Sequence, residues 1–185
     1  SDEFNGIIDL LTMRMATFTG EMGFEIIWQD IPQGLVDQAQ EYRRKIVEAA
    51  ADFDDEVADK FINEQEISIL EIKRGLRKGV IDRKLVLAFG GSAFKNKGVQ
   101  LMLDGVIDYL PSPLDVPPIE GVDPRTGVAI NIPTDTKAPF CGLIFKIMTD
   151  PFVGVLNFIR VYSGELPSGT YVYNVRTGSK ERVSR

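Results

Sequence analysis

The chain has 185 residues, 44% of them apolar, and a formal net charge of −6. The apolar fraction allows a folded core, and the acidic balance argues against broad binding to nucleic-acid backbones, so no DNA partner is expected. Because there is no histidine and only one cysteine, Cys141, the composition excludes Ser-His-Asp and Cys-His catalysis, Cys/His zinc sites and an internal disulfide.

The sequence carries no signal for a membrane or for export. No apolar run approaches the length that spans a bilayer, and residues 1–4 do not begin a signal peptide. We therefore expect a soluble, cytoplasmic protein without a membrane partner. The first residue is Ser1 rather than methionine, so we also expect a piece of a longer protein, cut by design or by proteolysis.

The first third of the chain predicts a strand and then a helix. Residues 24–31 are strand-like, with Phe24, Ile26 and Trp28 on one face, and the glycine-containing residues 19–23 predict a hairpin turn before them. Trp28 is expected to pack in the fold. In the helix, apolar residues recur at steps of three and four and form one stripe: Leu35, Ala39, Tyr42, Ile46, Ala49 and Phe53.

Two more helices are predicted in the next thirty residues. The shorter one carries Val57, Phe61 and Ile62. The other begins at Ser68, because Ser68 and Glu71 have the spacing of a capping box. It is expected to bury four apolar side chains, those of Ile69, Ile72, Leu76 and Val80.

A strand, a loop and a helix follow in that order. Residues 84–89 are a short apolar run closed by Gly90 and Gly91, which is typical of a buried parallel strand. The helix after the loop ends at Pro111. The sequence places five apolar residues on one face of this helix: Val99, Met102, Leu103, Val106 and Leu110. The order predicts an α/β fragment.

The last third of the chain has the composition of a connector followed by a β domain. Residues 114–136 are rich in Pro, Gly and Asp and predict the connector. Residues 140–148, 153–162 and 170–175 then predict closely spaced strands of a small barrel. Cys141, on the first of these strands, is expected to be buried and unreactive.

The loop between the predicted strand and helix, residues 91–98, is the candidate binding site. It lies at the carboxyl end of the strand, where open α/β sheets place their ligands. Ser92 can stiffen the loop by hydrogen bonding, and the small Ala93 lets a ligand approach its backbone N–H. Taken alone, the pattern Ser-Ala is explained more simply by an ordinary strand-to-helix turn.

Longer motifs around this loop resemble bacterial-type translation elongation factor G over nearly the whole chain. One group resembles the end of its GTPase domain: residues 91–100 (GSAFKNKGVQ) and 108–117 (DYLPSPLDVP). A second group resembles the opening strands of its second domain: residues 145–147 (FKI), 150–154 (DPFVG) and 160–164 (RVYSG). A third resembles its insertion subdomain: residues 6–10 (GIIDL) and 48–51 (EAAA).

The resemblance implies an α/β plus β-barrel fold in several domains. Residues 1–83 would form the insertion subdomain of the GTPase domain. Residues 84–113 would be the last strand and helix of that P-loop-type domain, and residues 114–136 a linker. Residues 137–185 would begin the barrel of the second domain without completing it.

The resemblance also implies a guanine-binding role for four residues of the loop. The backbone N–H of Ala93 would donate to guanine O6, and Ser92 would support the loop. Phe94 or Lys95 would flank the base, and the sequence leaves open which of the two does so. In the whole protein, the implied ligand is GTP or GDP with magnesium.

The motifs that would hold the rest of a nucleotide are absent from the 185 residues. There is no Gly-x-x-x-x-Gly-Lys-Ser/Thr to bind phosphates and no Asp-x-x-Gly to hold magnesium. Residues 96–99 imitate Asn-Lys-x-Asp, but Val99 offers no carboxylate to the base. We therefore predict no catalytic residue, no metal ligand and no bound cofactor in this fragment.

For the whole protein the resemblance implies GTP-driven translocation of tRNA and mRNA on the ribosome, with the ribosomal stalk protein and ribosomal RNA as partners. For the fragment, a non-catalytic binding module is the leading hypothesis. The alternatives are a guanine-nucleotide enzyme completed in trans by another chain, and a purely structural fragment. Exposed strand edges and apolar faces at the cut also predict self-association.

Two charged groups are linked to these partners by the resemblance. An acidic helical surface would meet the stalk, although a solvated helix face explains it more simply. Its members are Asp37, Glu41, Glu48, Asp52, Asp54, Asp55, Glu56, Asp59, Glu64 and Glu66. Lys180, Arg182 and Arg185 would either touch ribosomal RNA or belong to a cut strand.

Overall fold

A computed structural model describes residues 4–184 of the chain. The backbone divides after Pro111 into two compact units. We call residues 4–111 the helical unit and residues 112–184 the β unit. Arg185, one of the three residues expected either to touch ribosomal RNA or to belong to a cut strand, lies outside the described residues.

The helical unit begins with a three-stranded antiparallel sheet, β1 (Ile7–Asp9), β2 (Arg14–Thr19) and β3 (Glu25–Gln29), in that spatial order. It confirms the predicted strand and its hairpin turn, and Ile26 and Trp28 point to the more buried face. Phe24 does not join them and is exposed. The reason is that the turn ends in a 3-10 helix, Glu21–Gly23, which leaves Phe24 outside the strand.

Three helices follow, α1 (Val36–Ala51), α2 (Asp55–Ile62) and α3 (Ile69–Ile81), and the sequence predicted each of them. The face predicted for α1 was partly wrong, because Tyr42 is exposed while Val47 and Ala50 are buried. The buried face of α1 differs from the predicted one because α3 packs against it. α3 approaches so closely at Gly75 that a Cβ there would lie 2.5 Å from the carbonyl oxygen of Ala50.

The core of the helical unit is made by α1, α2, α3 and one residue of a later helix. Its buried members are Val47, Ala50, Val57, Ile72, Leu76 and Tyr109. Of the apolar residues predicted on the second helix, Val57 is buried, whereas Ile62 is 76% exposed at the end of α2. In α3 the predicted capping box is present: Glu71 N–H donates to Ser68 Oγ at 3.3 Å, and Ser68 N–H donates to Glu71 Oε2 at 2.8 Å.

We expect Glu71 to make the helical unit acid-sensitive. Its ion pair with Lys60 and its hydrogen bonds from Ser68 lower the pKa of the carboxyl from 4.5 to about 2. Because the folded-state pKa is depressed, the stabilisation is complete above pH 4.5 and is lost as pH falls towards about 2. Urea unfolding followed by Trp28 fluorescence should show this loss, and Glu71→Gln should flatten it. Equal pH slopes for the two proteins would contradict the assignment.

The segment predicted to be a buried parallel strand, residues 84–89, forms neither strand nor helix. Leu85 and Leu87 pack against the core of the helical unit, whereas Val86 is 92% exposed. A strand requires a neighbour to exchange hydrogen bonds with, and no strand within residues 4–184 pairs with this segment. Two of the apolar side chains in residues 84–89 are therefore packed as predicted, but the prediction of a parallel strand is wrong.

The predicted helix after the loop is α4 (Val99–Tyr109), but its predicted apolar face was wrong. Four of the five residues assigned to that face, Met102, Leu103, Val106 and Leu110, are exposed. The buried face instead contains Gly105 and Tyr109. Phe89 explains the difference, because its ring occupies the space beside Gly105, where an added Cβ would lie 2.5 Å from Cζ.

The β unit consists of three antiparallel hairpins. They pair β4 (Ile119–Val122) with β5 (Ala129–Ile132), β6 (Cys141–Asp150) with β7 (Gly154–Ser163), and β8 (Tyr171–Asn174) with β9 (Ser179–Arg182). The three predicted strands are confirmed, whereas the first hairpin falls in the predicted connector. It forms because Asp123 caps a tight turn, accepting from the N–H groups of Arg125 and Thr126.

The strands described in the β unit do not close into a barrel, because the three hairpins share no ladder within residues 112–184. The barrel therefore stays a prediction. Cys141 is half-buried at the start of β6, less buried than expected. Lys180 and Arg182 lie on β9, whose residues are all exposed.

Candidate functional site

The candidate guanine loop, residues 91–98, is held by a short backbone bridge. Ser92 and Lys97 exchange two hydrogen bonds, with N···O distances of 2.9 and 3.0 Å. Between them, residues Ala93–Lys95 form one turn of 3-10 helix. These two hydrogen bonds close the loop on either side of the 3-10 turn, and the turn projects from the closed loop.

Two residues after this turn adopt left-handed backbone conformations. Asn96 has φ 51° and Gly98 has φ 84°, and Gly98 caps the start of α4. Gly98 is also closely packed, since an added Cβ would collide with Cδ1 of Ile7. The Nζ of Lys97 donates to the carbonyl of Phe4 at 3.3 Å. These contacts fix the loop to β1 and to the residues just before it.

The four predicted guanine-binding residues lie together on this single turn. Ala93 and Phe94 begin the 3-10 helix, and their N–H groups have no hydrogen-bond partner within residues 4–184. The side chain of Phe94 is fully exposed, and Lys95 is exposed beside it. Ser92 is half-buried, but its hydroxyl does not cap the turn. The backbone of Ser92, rather than its hydroxyl, stabilises the loop.

The turn offers two kinds of contact that a planar base could use. A backbone N–H with no internal partner can donate to a carbonyl oxygen, and an exposed phenyl ring can cover a planar base. The sequence contains neither of the motifs that commonly hold phosphates and magnesium in GTPases. Within residues 4–184, no group of three or more acidic or thiol side chains is arranged to hold a metal ion.

The acidic helical surface divides into paired and unpaired carboxylates. Arg74 contacts Asp54 at 2.5 Å and Glu56 at 2.8 Å, and the bond from Arg74 lowers the pKa of Asp54. Glu41 pairs with Lys45 at 2.6 Å on α1. The other members are exposed and make no ion pair in the described part of the chain: Asp37, Glu48, Asp52, Asp55, Asp59, Glu64 and Glu66.

The sequence did not indicate the residues that shape the guanine loop. Gly23, in the turn before β3, packs so close that an added Cβ would lie 2.9 Å from the carbonyl oxygen of Lys95. Ile7 and Phe4 contact the loop from the start of the chain. The sequence signal within the loop was the pair Asn96 and Gly98, because asparagine and glycine are the residue types that adopt left-handed conformations most readily.

Comparison with known proteins supports the resemblance. Residues 139–185 match the family model for elongation factor G domain 2. A crystal structure of a protein from Thermus thermophilus has a similar fold, with a TM-score of 0.67 and 22% sequence identity. The match covers 97% of this chain and 24% of that protein, so the chain spans about a quarter of its length.

The resemblance to elongation factor G is confirmed by the family match at residues 139–185, in the β unit. The solved structure shows a similar fold over nearly the whole chain. The mixed α/β class is also confirmed. None of the helices in residues 4–184 has the length and apolar character needed to cross a membrane.

Proposed function

We propose that this chain is a non-catalytic piece of a translation elongation factor. The observation that carries the proposal is the match of residues 139–185 to elongation factor G domain 2. In the whole protein, the guanine loop would form one wall of a GTP site, and the factor would drive translocation of tRNA and mRNA on the ribosome in the cytoplasm. The described loop geometry supports the first of these roles, because the N–H of Ala93 is available to a base.

The fragment is proposed to bind a partner without turning over nucleotide. Phosphoryl transfer depends on placed phosphate ligands and a metal, and these residues are missing. The acidic helical surface supports contact with the ribosomal stalk protein, because seven of its carboxylates are exposed without an internal ion pair among the described residues. Such charges steer association and set its dependence on salt.

Isolated stalk protein should bind the chain through this surface. We expect the double variant Glu48→Gln, Asp52→Asn to weaken binding about fivefold at low salt, because it removes two exposed charges at the end of α1. Calorimetric titration measures the change. The control variant Glu120→Gln, Glu165→Gln removes two exposed charges from the β unit and should bind as the original chain does.

No binding to the stalk protein would leave a purely structural fragment. If both double variants lose the same affinity for the stalk protein, the loss is a general effect of net charge, and the acidic helical surface is not the specific contact.

Self-association is proposed as a second property of the fragment. The hairpin of β6 and β7 exposes apolar side chains on both faces, among them Leu143, Ile144, Phe145 and Ile147. An isolated two-stranded hairpin is only marginally stable in water, so pairing with another strand would stabilise it. Its edges offer unpaired backbone groups for that purpose.

A further inference from the structure

A cavity of about 400 Å³ lies in the helical unit and meets the guanine loop only at Gly98. Most of the residues that line it are apolar, among them Leu11, Leu76 and Leu101. Three aromatic side chains, Trp28, Phe89 and Tyr109, also line it, and the rings of the last two are 6.3 Å apart. This volume and lining fall within the range of small-molecule sites.

Tyr109 contributes an aromatic hydroxyl to the lining of this cavity. The residue is only 6% exposed, and its ring lies beside that of Phe89. Burial, together with the charges of Asp108 and Asp9, raises the pKa of Tyr109 to about 12. The hydroxyl therefore stays neutral and can hydrogen-bond a bound molecule.

The charged residues around the cavity give it a negative balance. Asp108 pairs with Lys73 at 2.6 Å, so these two charges offset each other. Asp9 accepts from the N–H of Leu11 at 2.9 Å and from the hydroxyl of Thr12 at 2.7 Å, but no cation pairs with it in the described residues. Asp104 lines the cavity and makes no ion pair there. Among the lining residues, Asp9 and the exposed Asp104 thus make no ion pair within residues 4–184. The nearby Arg43 donates instead to the backbone carbonyls of Leu10 and Leu11.

We propose that this cavity is a binding site for a small organic cation that carries an aromatic or aliphatic body, such as an arylalkylamine. The body would fill the apolar space between Phe89 and Leu76. The ammonium group would lie near Asp104 and Asp9, within reach of the face of Trp28, where a cation is attracted by the ring. Tyr109 would complete the polar end of the site.

The single tryptophan of the chain makes the test direct, because Trp28 lines the cavity. Three probes of similar size and different charge can be titrated against the chain: 2-phenylethylamine, 2-phenylethanol and phenylacetate. We expect a saturable change in Trp28 fluorescence with the amine, and at least about tenfold weaker binding of phenylacetate. The neutral alcohol should fall between them.

Two variants locate the amine within the cavity. Asp104→Asn should weaken its binding about fivefold, while Asp37→Asn, on α1 and away from the cavity, should leave it unchanged. Tyr109→Phe keeps the aromatic ring but removes the hydroxyl, and it should also weaken binding of the amine. Far-UV circular dichroism checks that each variant folds. The proposal is overturned if the amine gives no saturable signal below about 10 mM, if all three probes bind equally, or if Asp104→Asn behaves as Asp37→Asn does.

Discussion

Replacing Gly164 by alanine should lower the free energy of unfolding of the β unit by about 3 kcal/mol. The residue follows β7 with φ 68°, a conformation that costs an alanine roughly 1 kcal/mol. Space is the larger problem. An added Cβ would lie 2.6 Å from the carbonyl oxygen of Ala138 and 2.6 Å from the backbone nitrogen of Phe140. Both are backbone atoms, so the strand itself would have to move.

The neighbouring Gly169 provides a matched control for this change. Its φ is 79°, but an added Cβ would meet nothing within 4 Å. Gly169→Ala should therefore show only the backbone cost, about 1 kcal/mol. Amide hydrogen exchange in β6 and β7 measures both variants, and protection should fall roughly 100-fold for Gly164→Ala. Equal loss in the two variants would show that Phe140 does not pack against Gly164.

Replacing Ile72 by alanine should destabilise the helical unit by about 3 kcal/mol. Ile72 is fully buried on α3, at the centre of the core that joins α1, α2 and α4. Removing its side chain loses apolar burial and leaves a cavity that these helices can only partly close. Urea unfolding followed by Trp28 fluorescence measures the change.

Leu70, two residues earlier on the same helix, is the control for that experiment. It is 78% exposed, so Leu70→Ala removes similar apolar volume without opening a cavity. We expect a change within about 0.5 kcal/mol. A large effect at Leu70 would mean that this face of α3 is covered in solution, and a small effect at Ile72 would contradict the packing described for the core.

Local signals in the sequence predicted the elements well. The capping box at Ser68 and Glu71 fixed the start of α3, because it needs only residues three apart. Alternation predicted which side of β3 is buried at Ile26 and Trp28. Both depend on interactions within a few residues, and the sequence contains all of their partners.

Packing faces and strand pairing were harder to predict. The buried face of α4 is set by Phe89 against Gly105, and that of α1 by Gly75 against Ala50. These contacts join distant residues, and a small residue gives no apolar signal. Residues 84–89 show the same limit, because apolar composition cannot show whether a pairing strand is present.

The candidate site was predicted in part from the sequence. The resemblance placed Ser92, Ala93, Phe94 and Lys95 in one loop, and the structure brings them onto one turn. What holds that turn could not be predicted. The bridge from Ser92 to Lys97 is a backbone feature, and the packing of Gly23 against the loop connects residues more than seventy positions apart.

Titration of the chain with fluorescently labelled GDP in the presence of magnesium tests the proposed role of the guanine loop. We propose that Ala93 and Phe94 form one wall of a guanine site and that no residue of this chain holds the phosphates. We therefore expect no saturable binding of GDP up to about 1 mM and no hydrolysis of GTP. Binding of GDP at micromolar concentration would contradict the proposal, and turnover of GTP would show that the chain is an enzyme.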